Sequence, residues 1–578
     1  MRNETLNNNR LRLKTNTLRC LGAVLSITLL APAVRADVLD DLARDFWSWR
    51  AAEMPVSADD IPRLERPAAW VPDWSPSQLA TYRKQAGEFD RRWNAIDVSK
   101  WPVPRQVDYR LIGSAIARAH WELEVLRSWQ RNPNFYVDQT LGAYFHLLLQ
   151  LPPFSPDRGA NIVATLNATH KLLEAARQNL AEPVRPFADL SVEALKDVRP
   201  RLLASLHELK PLLDANSQKQ IDGAAESAVR ALEEYSAWLS PGRLSLVSTQ
   251  TAVGREGYVY FLKNVALLPY APEQLLAIGE NEWARSVAFQ TYEEHRNLGA
   301  AEMRIPASIE EEIASERRDE EAIRQYLQDK HILSVPAWMQ HYTYQSMPAY
   351  MKPLEGVGEA DDFTGPSRLK ENCVRYIDPP SADLGYFALA DAKDPRIGIV
   401  HEGVPGHYFQ LALSWAHPDP IRRHYYDSGA NEGIGFYSEE MLLEAGLFDN
   451  SPRSREIVYN MVRLRALRVE VDVKLALGEF TIEQGAEYLQ KTVPMDSHTA
   501  HAEAAFFASY PGQAISYQIG KTQIMRFLAE ARRQQGDKFD LQAFHDFLWL
   551  NGNVPIALQR WEYLELKDDV ESVAGSRR

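Results

Sequence analysis

Residues 401–410 read His-Glu-Gly-Val-Pro-Gly-His-Tyr-Phe-Gln. Two imidazoles and a carboxylate thus fall within one short segment. Imidazole and carboxylate are ligands that zinc accepts, and a Glu directly after the first His is where the common zinc-peptidase helix carries its general base. That common motif spaces its two His four apart, on one face of a helix. Here the spacing is six. Six residues of regular helix turn through about 600°, leaving His401 and His407 roughly 120° apart around the axis. Pro405 removes a backbone donor and Gly406 tolerates unusual dihedrals. A bulge or break there is expected to swing His407 back beside His401. The competing reading is a helix end with two ordinary histidines beside a Pro-Gly turn.

A third ligand is at hand downstream. Residues 431–440 read Asn-Glu-Gly-Ile-Gly-Phe-Tyr-Ser-Glu-Glu and suggest the start of a second helix carrying Glu432. A catalytic zinc site takes three protein ligands and keeps one position open. His401, His407 and Glu432 would supply the three, with Glu402 as general base rather than ligand. Glu439, seven residues on, shares a face with Glu432 and could support the ligands from behind; Glu440 reads as a surface carboxylate. A developing oxyanion needs a second donor. Tyr517 is the first candidate for it and Tyr510 the second, against the ordinary role of Tyr in packing. Arg468 could take a substrate carboxylate, although pairing with Asp472, four residues on, is the plainer expectation. Zinc suits this ligand set; manganese and cobalt remain open.

The frame that must position these groups reads as mainly helical. The chain has 578 residues, too many for one small core, and its 45% hydrophobic and 25% charged content is ordinary globular composition. Helical periodicity runs through 38–49, 77–94, 107–131, 141–151, 161–180, 191–213 and 217–239. A composition shift near residue 240 suggests an N-terminal helical lobe over 37–240 and a catalytic helical lobe over 241–578. Pro272 opens a further helix, and the Glu- and Arg-dense stretch 301–327 reads as a helix with a solvated face. The runs Val374–Ile377 and Gly385–Leu389, around Asp378-Pro379-Pro380, are short and β-prone, and suggest a small β-ribbon feeding the metal motif.

Residues 1–36 read as a secretory signal: a basic stretch with Arg10, Arg12, Lys14 and Arg19, an apolar run over 20–34, and Ala36 before Asp37. The run is short for a membrane span. Cleavage would remove six basic residues and one acid, leaving 58 Lys and Arg against 77 Asp and Glu, a net charge of −19. That surface does not suit nucleic acid. Periplasmic or secreted location is expected, with no stable membrane insertion after signal removal. Cys373 would be the one cysteine left, so an intrachain disulfide is excluded. It reads as a buried thiol.

The ordered motifs resemble the bacterial family called domain of unknown function 885. That family carries His-Glu-x-x-Pro-Gly-His, a Glu-Gly-x-x-x-Tyr-x-Glu helix, an Arg-Ala-Leu-Arg helix and Pro-Gly-Gln-Ala-x-x-Tyr-x-x-Gly. The matching residues here are His401 to His407, Glu432 to Glu439, Arg465 to Arg468 and Pro511 to Gly520. The family is similar to helical zinc peptidases with a Glu third ligand, such as carboxypeptidase Taq and angiotensin-converting enzyme. Dipeptidyl peptidase III is a precedent for a lengthened His spacing. The resemblance implies a large helical, two-lobed, metallopeptidase-like fold with a deep central cleft. Two positions depart from the family: Ala476 stands where a His is usual, and Phe506-Phe507 where Arg-Tyr is common. Both lie outside the ligands. His498 and His501 are near enough in sequence to replace a lost donor, or are simply surface residues.

The expected activity is zinc-dependent hydrolysis of short peptides. Two alternatives use the same residues: hydrolysis of a non-peptide amide or cell-wall fragment, and a binding protein that has lost catalysis. Retention of Glu402 speaks against the last, because a structural zinc site has no need of a base and is usually closed by a fourth ligand.

Overall fold

The computed structural model describes residues 38–56, 64–240, 242, 244, 248–493 and 495–574. The signal expected over 1–36 lies outside them, and the boundary expected near 240 falls where they thin out. Residues from Val38 on form one compact unit.

Helices dominate it. The ones that matter below are α1 (Val38–Glu53), α2 (Val103–His120), α3 (Pro156–Asn179), α4 (Ala215–Leu239), α5 (Pro272–Arg296) and α6 (Ile309–Asp329). After a small sheet follow α7 (Tyr386–Lys393), α8 (His407–Trp415), α9 (Ser428–Ala445), α10 (Pro452–Leu477) and α11 (Gln513–Gln535). Three expected helices are interrupted, and the one read over 191–213 breaks after Ala194, where Asp197 turns left-handed at φ 52°. The one read over 107–131 stops near Leu126, where Arg127 turns left-handed at φ 51°. The one read over 141–151 gives way after His146.

Two apolar cores carry the frame. In the first, Ile162, Leu166 and Leu173 of α3 meet Ala228, Leu232 and Tyr235 of α4. In the second, Phe409 and Leu411 of α8, Ile434 of α9 and Trp549 close around the segment that bears the two His. Burying each such large side chain contributes about 1.5–3 kcal/mol, so the chemistry sits on packed elements. Helices α5 and α10 run side by side, as do α9 and α11.

The sheet has three strands in the order β1 (Tyr342–Ser346), β3 (Cys373–Ile377), β2 (Asp361–Asp362). Strand β1 is parallel to β3 and β2 antiparallel to it. The β-ribbon expected from sequence is corrected here. Strand 374–377 is real, but its partners lie upstream. Residues 386–389 are helix α7, because the Tyr386 N–H docks on Asp496 (3.2 Å) and the apolar run faces helices rather than a strand. Cys373 is fully buried in β3, as a structural thiol would be.

Helix α6 departs from its expected solvated face. Glu312, Glu316 and Glu320 recur every four residues, so they share one face, and all three are buried. They cover the free edge of β1. The Tyr344 N–H donates to Glu316 (3.2 Å) and the Tyr342 N–H to Glu320 (3.4 Å). Edge N–H groups that a neighbouring strand would claim are thus satisfied by carboxylates. Among the described residues, no helix is long and apolar enough to cross a membrane.

Candidate metal centre

The segment before His407 is not a regular helix. Over Ile399–Gly403 the coil widens, and the Val404 N–H donates to the carbonyl of Ile399, five residues back (2.8 Å). The chain then doubles back across a cis Val404–Pro405 bond. At Gly406 a Cβ would stand 1.7 Å from the His401 carbonyl oxygen, so no other residue fits there. The Trp549 indole N–H holds the Pro405 carbonyl (2.7 Å). Helix α8 starts afresh at His407. The break expected from Pro405-Gly406 is present, and it brings the two imidazoles to 4.7 Å between ring centroids.

Helix α9 delivers Glu432. Its N-terminus is fixed by Asp427, which accepts from the Ala430 N–H (2.8 Å). Gln410 of α8 accepts from the side-chain amides of Asn431 (3.0 Å) and Asn553 (2.8 Å), which locks α8 to α9. Gly435, one turn beyond Asn431, leaves room for the rings: a Cβ there would sit 3.1 Å from Cε1 of both His401 and His407.

Three atoms converge. Glu432 Oε2 lies 3.1 Å from His407 Nε2 and 3.5 Å from His401 Nε2. Its other oxygen, Oε1, accepts from the Gln513 amide (3.2 Å). Oε2 itself is buried with no hydrogen-bond donor among the described residues. A buried carboxylate oxygen without a donor is costly unless a cation meets it. Behind His401, Glu439 Oε1 stands 2.6 Å from Nδ1, and Arg465 stands 2.8 Å from that same oxygen. A proton on Nδ1 facing Glu439 would leave Nε2 bare toward Glu432, the arrangement in which metal-binding His are held; Arg465 also approaches Nδ1, at 3.4 Å. The residues therefore fit a zinc-sized cation held by His401, His407 and Glu432.

Electrostatics agree with that demand for positive charge. Burial and the Arg465 charge lower the proton affinity of His401, but Glu432 and Glu439 outweigh them and its pKa is pushed up to about 9. Burial raises the carboxyl of Glu432, yet the two imidazoles hold it well below the usual range.

Glu402 has its Oε2 4.0 Å from His407 Nε2. Ligand atoms of His401, Glu402 and His407 all lie within 4.8 Å of one another, so Glu402 also borders the centre. Two facts set it apart from Glu432. It is farther from the imidazoles, and its side chain is 27% exposed against 8% for Glu432. It is the acid that a substrate or water can reach. Burial raises its carboxyl, but His407, His401 and Arg375 together lower it below its ordinary value.

Arg375, on β3, carried no signal in the sequence. Its guanidinium meets Asp391 (3.3 Å), Asp361 (3.8 Å) and Glu402 (3.8 Å). Burial drives the two aspartates up, Asp361 to about 6 and Asp391 to about 7, with Arg375 opposing. Gln513 was equally unforeseen as a partner of Glu432, although it stands inside the Pro-Gly-Gln-Ala segment.

Tyr517, on α11, stacks on His401 with ring centroids 6.0 Å apart and planes 11° apart. The Arg468 guanidinium lies 4.5 Å from the Tyr517 ring centroid. Tyr510 is placed differently: its hydroxyl donates to Asp138 (3.1 Å). Arg468 does not pair with Asp472. It forms a two-pronged bridge to Glu503, both contacts 2.7 Å. Asp472 instead caps α11, accepting from the N–H groups of Gly512 (2.9 Å) and Ala514 (2.7 Å) and from the Tyr258 hydroxyl (2.9 Å). Glu440 is not a surface group either; Lys521 holds it in a buried pair (2.6 Å). His498 and His501 are exposed.

Comparison with known proteins sets the frame. The model of the family described as "Bacterial protein of unknown function (DUF885)" matches residues 61–561. A candidate lipoprotein of unknown function from Shewanella oneidensis has a similar solved structure, with TM-score 0.68 and 16% identity. It covers 92% of this chain and 99% of its own. A candidate lipoprotein from Colwellia psychrerythraea is similar at TM-score 0.69 and 18% identity, covering 93% and 99%. No curated protein matches the chain.

Proposed function

The chain belongs to the DUF885 family, and on that premise we propose that it is an exported zinc-dependent hydrolase, a metallopeptidase acting on short peptides. One observation carries the reading. Two imidazole nitrogens and a donorless carboxylate oxygen meet at 3.1 and 3.5 Å, with a second, more exposed carboxylate at the rim. A structural ion would have no use for the fourth group.

Zinc bound there would supply a polarised water of pKa near 7 and a Lewis acid for the substrate carbonyl. The chain's own residues do the rest. Glu402 accepts the water's proton and returns it to the leaving amine. Arg375 keeps that carboxylate charged and aimed. Tyr517 is half-buried, and desolvation of its hydroxyl with the Glu432 charge drives its pKa well above 10. It therefore keeps its proton at neutral pH and can donate to the oxyanion. Glu439 fixes the tautomer of His401. Export is supported by the basic-then-apolar N-terminal sequence and by the description of both solved relatives as candidate lipoproteins.

The test separates binding from chemistry. Glu402→Gln should retain zinc and lower turnover of a peptide library by roughly 10²–10⁴-fold. His407→Ala should lose zinc. Unchanged turnover in Glu402→Gln would remove the assigned base.

A further inference from the structure

The surroundings of Glu432 continue beyond the centre itself. Gln513, which donates to Glu432, also lines a cavity of about 110 Å³, and so does Ser428, one helical turn before Glu432. The cavity therefore abuts the ligand-bearing end of α9. Its wall is largely aromatic, with Trp74, Trp121, Trp129, Phe135 and Phe261. Such a wall takes an apolar side chain and excludes water.

Four charged residues face the cavity. Arg50 is matched by Glu122 at 2.6 Å. Asp138 accepts from the Tyr510 hydroxyl at 3.1 Å. Arg118, near the end of α2, differs. Among the described residues it makes no ion pair and no hydrogen bond, and its guanidinium lies 5.9 Å from the Phe261 ring centroid. The charge of Arg118 reaches Asp427, but Asp427 commits its Oδ2 to the Ala430 N–H. A half-buried guanidinium facing an aromatic ring, with its fork of donors unclaimed among the described residues, is built for a planar anion. A carboxylate is the anion that a peptide brings.

We propose that this cavity is the subsite for a substrate's terminal residue with a free carboxylate. Arg118 receives the carboxylate, the aromatic wall receives an apolar side chain, and the bond to be cut lies toward Gln513 and Glu432. The word substrate rests on the hydrolase reading above; the binding preference does not. The consequence is an exopeptidase that works from the carboxyl end and takes bulky apolar terminal residues.

The probes are N-acetyl-alanyl-phenylalanine and its C-terminal amide. Calorimetry on the zinc-loaded full chain carrying Glu402→Gln measures binding without turnover. The acid should bind roughly tenfold or more tightly than the amide. Adding Arg118→Gln should level the two while leaving the amide's affinity within about twofold. Arg118→Lys should retain part of the preference, which guards against a folding defect in the first variant. Equal affinities in the parent, failure of both probes to bind, or a preference that survives Arg118→Gln would each overturn the subsite. Turnover is measured separately with Glu402 intact. No turnover with the preference intact defeats the hydrolase reading alone. Turnover indifferent to the carboxylate defeats the subsite alone.

Discussion

His401 Nδ1 lies 2.6 Å from Glu439 Oε1, and the opposite nitrogen of the same ring faces Glu432. One carboxylate faces each nitrogen of the ring. Glu439 stands about two turns beyond Glu432 on the same helix, so a single rigid element sets both relationships.

Glu439→Gln keeps the shape and removes the charge that holds the Nδ1 proton. Zinc affinity should fall by roughly 10–100-fold, the usual effect of losing such a partner, and the melting temperature should fall as well, because the buried Arg465 loses the carboxylate 2.8 Å from it. Competition with a chromophoric chelator reads this. Unaltered affinity would show that Glu439 serves packing only.

Gly435→Ala tests how closely the rings are seated. The added methyl would approach both Cε1 atoms at 3.1 Å, so the imidazoles must shift by a few tenths of an ångström. Overpacking of this kind costs about 1–3 kcal/mol. Zinc binding should weaken while the far-ultraviolet circular dichroism stays unchanged. Full zinc affinity in the variant would mean that the rings have slack.

The buried edge under the site gives a pH signature. Burial is the largest influence on Glu316 and lifts its pKa to about 8, with the Tyr344 N–H opposing. Its native value thus exceeds its unfolded value, so the folded chain holds this proton more firmly. The resulting stability is complete below about pH 4.5 and is lost as pH rises through about 8. Glu316→Gln should therefore be more stable than the parent at pH 9 and nearly equal to it at pH 5. The gain is on the order of a few kcal/mol at most. Thermal unfolding at the two pH values checks it, and equal loss at both would refute the sign.

How much of this was legible in the sequence depends on the range of the forces involved. The helices followed from apolar spacing, and the kink from Pro405 and Gly406, because both are local. Glu439 was legible because a helix repeats its faces. Arg375 was not. Its partners Asp361, Asp391 and Glu402 come from three separate segments, and nothing in the run Val374–Ile377 marks one Arg as special. The i,i+4 rule misplaced Arg468 and Asp472. Each found a stronger use in tertiary structure, a two-pronged bridge for one and a set of helix-end N–H groups for the other. The glutamates of α6 looked solvated because their spacing shows only that they share a face. Which face the sheet covers is a long-range outcome.

Imidazoles six positions apart should share one ion with Glu432. The most direct measurement is anomalous diffraction at the zinc edge from crystals of the zinc-loaded chain. One peak is expected, bounded by His401 Nε2, His407 Nε2 and a Glu432 oxygen, each at about 2.0–2.2 Å. No peak there, or a peak that engages only one of the two histidines, would contradict it.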